Sequence, residues 1–331
     1  MRHSGEGGDS GRIATGSGRA RAGVHSRIPG WRAAFVGAAC ALLVAGPAIA
    51  QRSGALVVAY TSPALKRIDA TGTVRLGYRE SSPPFAFLDA KKKPIGYSLD
   101  LCDNVVDEIA REVGKELKVE YRPVTPENRF ELVRSGAIDV ECGSSNNTAE
   151  RRKIVAFSPT TFVTGTKLLV RRGSNIRSLR DLDGKTIVLT RGTVHEALIP
   201  RLALRQHVAA RFVFAADHSE SFQTLAAGKA DAFANDEVQL FGMLAETRSA
   251  SDFRIVGDFL NYADYALTLP KDDPDFAEVV ERAFHKLAGS REILAIYERW
   301  FMKPLPSGAR LNLPMSPHLE EIFSVQGLPG D

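Results

Sequence analysis

Residues 186–197 read Thr186-Ile-Val-Leu-Thr190-Arg-Gly-Thr193-Val-His-Glu-Ala197. A short apolar, β-branched run closed by a turn signal reads as a buried strand. Gly192 supplies the turn, and a helix opens from Val194. The unit is therefore strand, turn, helix. The same rhythm runs in both directions from it. Downstream, Arg211–Ala215 reads as a strand and leads through Asp217-His218-Ser219 into a helix carrying Phe222, Leu225 and Ala226. Ala230–Ala234 is a further strand before a helix from Glu237. Upstream, Val74–Arg79 reads as a strand, and Leu101, Val105, Ile109 and Val113 recur at helical spacing up to Gly114-Lys115. Val119–Tyr121 alternates as a strand. Thr125-Pro126-Glu127 predicts a helix start with a Thr cap and Pro in first position, and Gly136 closes that helix before the strand Ala137–Glu141. Pro274–Leu287 and Arg291–Phe301 are amphipathic helices, and the Pro-rich tail from Lys303 is expected to be irregular. Strands alternating with helices imply an α/β fold with mainly parallel sheets, whose ligands collect at the carboxyl ends of the strands.

The chain has 331 residues, enough for about two domains. It is 44% hydrophobic and 25% charged, the balance of a globular protein rather than a disordered tail or a multi-span membrane protein. Its formal charge of +4 is unevenly placed. Residues 1–50 hold six arginines against Glu6 and Asp9, which leaves 37 of the 43 basic and 37 of the 39 acidic residues in the remainder. The body is neutral, so the basic balance does not point to nucleic acid.

The leader reads as an export signal. Arg27 and Arg32 precede the apolar run Ala33–Ala45, Gly46-Pro47 breaks it, and Ala48-Ile49-Ala50 forms an A-x-A cleavage site before Gln51. The run is shorter than the roughly 20 residues a spanning helix needs. Cys40 lies inside the apolar run and makes a poor lipid-attachment site. Cleavage leaves Cys102 and Cys142, an even number in an oxidising compartment; a disulfide and two buried thiols are the alternatives, the disulfide being the first expectation.

Catalytic signatures are absent. The body contains no G-x-S-x-G, P-loop, H-E-x-x-H or C-x-x-C, and His195-Glu196 has no second histidine at metal-binding spacing. No metal or cofactor is expected.

Several segments, in order, resemble periplasmic amino-acid-binding proteins. They are Gly77-Tyr-Arg-Glu-Ser-Ser-Pro-Pro-Phe85, Gly96-Tyr-Ser-Leu-Asp100, Glu141-Cys-Gly-Ser-Ser-Asn-Asn-Thr-Ala-Glu-Arg151 with Phe157-Ser158, Asp217–Phe222, Phe233-Ala-Asn-Asp236 and Trp300-Phe301. The likeness covers about residues 55–325. It resembles most the glutamate/aspartate-binding branch of solute-binding protein family 3, which serves ABC importers. The resemblance implies the type II periplasmic binding fold: two α/β lobes joined by two crossover strands, near Thr164–Lys167 and Tyr262–Ala266. Residues 51–164 and 265–331 would form lobe 1, residues 165–264 lobe 2, and residues 1–50 the cleaved signal peptide. It further implies a monomer that delivers its ligand to ABC permease subunits in the inner membrane.

Carried over residue by residue, the resemblance gives Ser144, Asn146 and Arg151 the ligand's α-carboxylate. Hydroxyl and backbone N–H donors beside a guanidinium are suited to an anion. Asn146 stands where the branch usually has Thr. Asp236 matches the acid that pairs with the ammonium, although an Asp at a strand end is also an ordinary helix cap. Thr190 and Thr193 flank Gly192 as further contacts. Arg79, Arg129 and His218 would surround the distal carboxylate, since two cations facing a neutral side chain would leave buried charge uncompensated. His218 would add a charge on protonation. Pro126 replaces a Ser of the branch, which removes one polar contact and leaves room for glutamine or asparagine as ligand. An enzyme on the same fold, of the cyclohexadienyl dehydratase kind, would need a free proton donor over the leaving group; the matched positions offer Arg, His, Thr and one Asp already paired with an ammonium.

Overall fold

The computed structural model describes residues 60–330, and the expected leader and cleavage site lie outside them. Helix α1 (Pro63–Thr71) is capped by Ser62, whose hydroxyl accepts from the Leu65 N–H. Strand β1 (Thr73–Tyr78) follows, then the short strands β2 (Ser81–Ser82), β3 (Ala86–Leu88) and β4 (Pro94–Ile95), which form a small sheet of their own. Helix α2 (Tyr97–Val113) ends at Gly114, whose positive φ closes it where the sequence predicts. Strand β5 (Lys118–Pro123), helix α3 (Arg129–Arg134), strand β6 (Val140–Asn146) and the short β7 (Ala156–Phe157) lead to β8 (Phe162–Arg171). Then come β9 (Thr186–Thr190), α4 (Val194–Arg205), β10 (Arg211–Ala215), α5 (His218–Ala226), β11 (Ala232–Asp236), α6 (Glu237–Glu246) and β12 (Phe253–Val256). Strand β13 (Tyr262–Leu269) and helices α7 (Pro274–Gly289), α8 (Glu292–Tyr297) and α9 (Pro317–Val325) complete the described chain.

The main path of strands runs β10-β9-β11-β8-β13-β6-β1-β5. Its two halves meet at the two long strands. β8 pairs with β11 and β12 through its residues 166–171, and with β13 through Phe162–Gly165 against Tyr262–Tyr265. In the β9 half, side chains alternate between two apolar layers. Leu168, Val170, Ile187 and Leu189 pack on one face, and Leu169, Val188 and Phe233 on the other. Helices therefore cover both faces, which is why these strands read as unbroken apolar runs. In the other half, α2 and α7 pack against the sheet around Phe85, Tyr97, Phe162, Tyr265 and Phe301, whose rings meet edge-on and stacked. Cys102 on α2 is bonded to Cys142 on β6, tying helix to sheet; of the two alternatives the disulfide is the one formed.

Two local expectations are corrected. Helix α3 starts at Arg129, because Thr125 and Asn128 cap each other: each side chain accepts from the other's backbone N–H. The tail is not wholly irregular. Ser316 caps α9, Pro317 occupies its first turn, and Leu319 and Phe323 are buried against the body.

Candidate binding site

The carboxyl ends of β1, β6, β9 and β11 and the strands β8 and β13 bring together side chains far apart in sequence. Asp236, last residue of β11, stands at the N-cap position of α6 but makes no side-chain cap bond there. Its carboxylate turns instead into the protein interior, where it is almost wholly buried. Oδ1 accepts from Thr166 Oγ1 at 3.1 Å and pairs with His195 Nε2 at 3.1 Å. Oδ2 accepts from Asn146 Nδ2 at 3.2 Å and from the Tyr265 hydroxyl at 2.6 Å. Burial pushes this carboxyl up, yet the adjacent His195 and the hydrogen bonds from His195, Tyr265 and Asn146 outweigh it and hold the group at about 2.

Three arginines lie close by. Arg79 leaves the end of β1 and Arg129 opens α3; both are only 3% exposed. Arg151 opens a short 3-10 turn, Arg151–Lys153. Its Nη1 donates to the Asn146 carbonyl at 3.1 Å, and its Nη2 donates across to the Gly192 carbonyl at 3.2 Å. Arg129 Nη2 reaches the same carbonyl at 3.4 Å. The ring of Phe130 lies under both guanidiniums, 4.6 Å from Arg129 and 4.8 Å from Arg151, where cation–π attraction spaces two like charges. Burial first, and then the charge of Arg129, pull both Arg79 and Arg151 down to about 9. They remain cations at neutral pH. Arg79 Nη2 and Arg129 Nε are buried without a hydrogen-bond partner.

Thr190 Oγ1 lies 3.0 Å from His218 Nδ1 and 2.7 Å from Ser221 Oγ. Burial, then Arg79, His195 and Arg129, push His218 well below its ordinary 6.5. In this arrangement the imidazole is a neutral member of the site rather than a third positive charge. Ser144 Oγ accepts from Gln239 Nε2 at 2.5 Å. Thr193 does not join the cluster through its hydroxyl, which donates to the Thr190 carbonyl of its own turn at 2.7 Å. Asn146, Arg151 and Thr193 line a cavity of about 600 Å³ that opens to the surface, with Arg201 and Asp264 at its rim.

Gly192 explains how closely the halves approach. It has φ +67°, and a Cβ there would lie 2.6 Å from the Pro126 carbonyl on the opposite side. Sequence reasoning missed Thr166, His195, Gln239 and Tyr265, which hold Asp236 and Ser144. Their signal was weak: a crossover strand, a helix interior and one histidine without a metal partner look the same in sequence as structural positions.

The fold and this charged cleft between two α/β halves define a ligand-binding protein of the two-lobed periplasmic type. The chain belongs to the bacterial extracellular solute-binding proteins, family 3, whose model matches residues 74–303. It is 39% identical over 263 residues to the L-glutamate/L-aspartate-binding protein of Pseudomonas aeruginosa, covering 78% of this chain and 87% of that one. It is 35% identical over 261 residues to the glutamate/aspartate import solute-binding protein of Escherichia coli K12, covering 78% and 86%. Among solved structures, an ancestral arginine-binding protein bound to arginine superposes with a TM-score of 0.62 at 28% identity, covering 70% of this chain and 98% of that one. These relatives are binding proteins rather than enzymes, and this chain is a solute-binding protein with the type II periplasmic fold. No helix among the described residues is long and apolar enough to cross a membrane.

Proposed function

We propose that this protein is exported to the periplasm, captures an acidic L-amino acid, glutamate or aspartate, between its two lobes, and delivers it as a monomer to an ABC permease in the inner membrane. The lobes are residues 51–164 with 265–331, and residues 165–264. The observation that carries this reading is the charge of the site. Arg79, Arg129 and Arg151 supply three positive charges and Asp236 and Glu141 two negative ones, all on largely buried side chains. Among these arginines and carboxylates positive charge is in excess, and a glutamate or aspartate zwitterion, with its extra carboxylate, is the amino acid that offsets it. An arginine ligand would add charge to an already cationic site. That costs heavily in a desolvated cleft, so kinship with arginine-binding structures does not carry over to the ligand.

Arg151, with Ser144 and Asn146, holds the α-carboxylate. Asp236 takes the ammonium. Its four acceptor positions are filled by Thr166, His195, Asn146 and Tyr265, so the ammonium displaces the Asn146 amide, the longest of the four bonds. Arg79, Arg129 and His218 face the side-chain carboxylate, and Thr190 and Thr193 complete the lobe 2 wall. The sequence relatives named for glutamate and aspartate support the same ligand class.

Calorimetry with glutamate, aspartate, glutamine and arginine tests this. Arg151→Ala is expected to abolish binding of every ligand. Arg79→Ala is expected to weaken glutamate and aspartate by one to two decades while changing glutamine little, the usual worth of a charge-assisted bond of about 1.5–3 kcal/mol. Glutamine binding more tightly than glutamate to the wild type would refute the acidic ligand. Mass spectrometry of the periplasmic fraction is expected to find a chain starting at Gln51, and recovery only of a full-length membrane species would refute export.

A further inference from the structure

One buried charge has no place in the roles above except in the count. Glu141, on β6, is fully buried. Its Oε2 accepts from Ser145 Oγ at 2.7 Å and from Thr268 Oγ1 on β13 at 3.0 Å. Its Oε1 has no hydrogen-bond partner. The side chain runs along β6 beneath Gly143, where a Cβ would sit 2.1 Å from Oε1 and 3.2 Å from Arg79 Cγ. Glycine is required at 143 because Glu141 and Arg79 share the space its side chain would fill. The carboxylate thus lies against the root of the arginine cluster, on strand β6 that also carries Ser144 and Asn146.

We infer that Glu141 is a specificity-determining residue: its fixed carboxylate offsets one positive charge of the arginine cluster and so limits how much negative charge the accepted ligand carries. The inference rests on the acidic-ligand reading and deepens it. Ser145 and Thr268 anchor one oxygen, which keeps the charge in place whether the cleft is filled or empty. Of the surrounding groups, Arg79, Arg129 and Arg151 all feel Glu141 as an attraction that opposes the loss of charge on burial. Tyr265, His218 and His195 complete the surroundings, with Asp236 as the other buried carboxylate. Asp217 also acts on Arg79 but is half-buried at the start of α5, where water screens it. A buried charge is screened far less, so Glu141 acts on every charged ligand that enters. Because it hydrogen-bonds only Ser145 and Thr268 and none of the groups that hold the ligand, it acts on them through its charge, and its effect scales with ligand charge.

The test compares three ligands of equal chain length and different charge: glutamine at zero, glutamate at minus one and 2-oxoglutarate at minus two. Each is titrated calorimetrically into wild type and Glu141→Gln, which keeps the shape and can still accept from Ser145 and Thr268. Loss of the carboxylate is expected to raise the glutamate-to-glutamine and the 2-oxoglutarate-to-glutamate affinity ratios, each by about tenfold. A purely structural Glu141 would lower all three affinities by one common factor, and unchanged ratios would overturn the inference. Should the unbalanced arginines keep Glu141→Gln from folding, the same pair of ratios is read in the Arg79→Gln background, with and without Glu141→Gln, where the charge excess is relieved. The outcome for the ligand reading is separate: a wild type that prefers glutamine refutes the acidic ligand, while the change in ratios still decides the role of Glu141.

Discussion

Adding one methyl group at Gly242 is expected to hold the two halves apart without harming either. Gly242 lies inside α6, with helical backbone, so alanine there costs no strain and gains about 1 kcal/mol of helix propensity. The obstacle is across the cleft. A Cβ at this position would sit 2.2 Å from the Pro83 carbonyl oxygen and 2.6 Å from its carbon. Ordinary contact begins near 3.4 Å, so one side has to retreat by more than 1 Å. The 82–85 loop is pinned: the Phe85 N–H donates to the Ser82 carbonyl at 2.9 Å and the Tyr97 N–H to the Pro84 carbonyl at 2.8 Å. Helix α6 therefore moves. Gln239 sits one turn before Gly242, and its amide donates to Ser144 at 2.5 Å and to the Tyr265 hydroxyl at 3.1 Å. Breaking these buried bonds costs about 2–3 kcal/mol, or roughly 30- to 150-fold in affinity. Calorimetry reads the loss, and small-angle scattering reads whether saturating glutamate still compacts the protein. Gly173→Ala, with no atom within 4 Å of the new methyl, is the control. Gly242→Ala binding within threefold of wild type, with the same compaction, would refute the reasoning.

Three further outcomes are expected. Cys102→Ser opens a bridge spanning 40 residues and should lower stability by up to about 4 kcal/mol in urea unfolding, and a loss under 1 kcal/mol would show that the bridge contributes little. Asp236 is depressed in the folded protein, so its contribution is complete above an unfolded value near 3.9 and is lost as pH falls towards about 2; Asp236→Asn should flatten the stability curve across that window, and an unaltered slope would count against it. His218 is also depressed, which for a base has the opposite origin but the same slope: the unfolded chain takes the proton first, so stability falls as pH drops below about 6.5. His218→Asn should remove that decline, as followed by thermal melts from pH 7 to 5.

Much of the scaffold was legible because the rules that specify it are local. Thr186–Thr190, Arg211–Ala215 and the core of β11 announce themselves as apolar runs ended by turn residues. The segment Asp217-His218-Ser219 leads into α5 as expected, and Asp217 caps it, its carboxylate accepting from the Glu220 N–H. Caps and periodicity act over three or four residues, so a linear reading can see them. Where local signals competed, it erred: Thr125-Pro126 looks like a helix start until Asn128 completes the turn, and the prolines of the tail concealed α9, whose Ser-Pro opening is as good a cap as that of α1.

The binding residues were placed by resemblance, and their physical relations belong to the tertiary structure alone. Sequence shows an Asp before a helix at 236; only the fold denies it the capping bond and surrounds it with Thr166, His195, Asn146 and Tyr265. Sequence shows a glutamate in a strand at 141, and only the fold buries it under Gly143 beside Arg79. His218 carries an ordinary titratable ring in sequence, and becomes a neutral one because burial and two guanidiniums leave no room for its charge. Residue identity determines which charges and donors the chain possesses. Desolvation and distance determine what they are worth, and both exist only once strands from residue 73 to residue 269 have delivered their ends to one cleft.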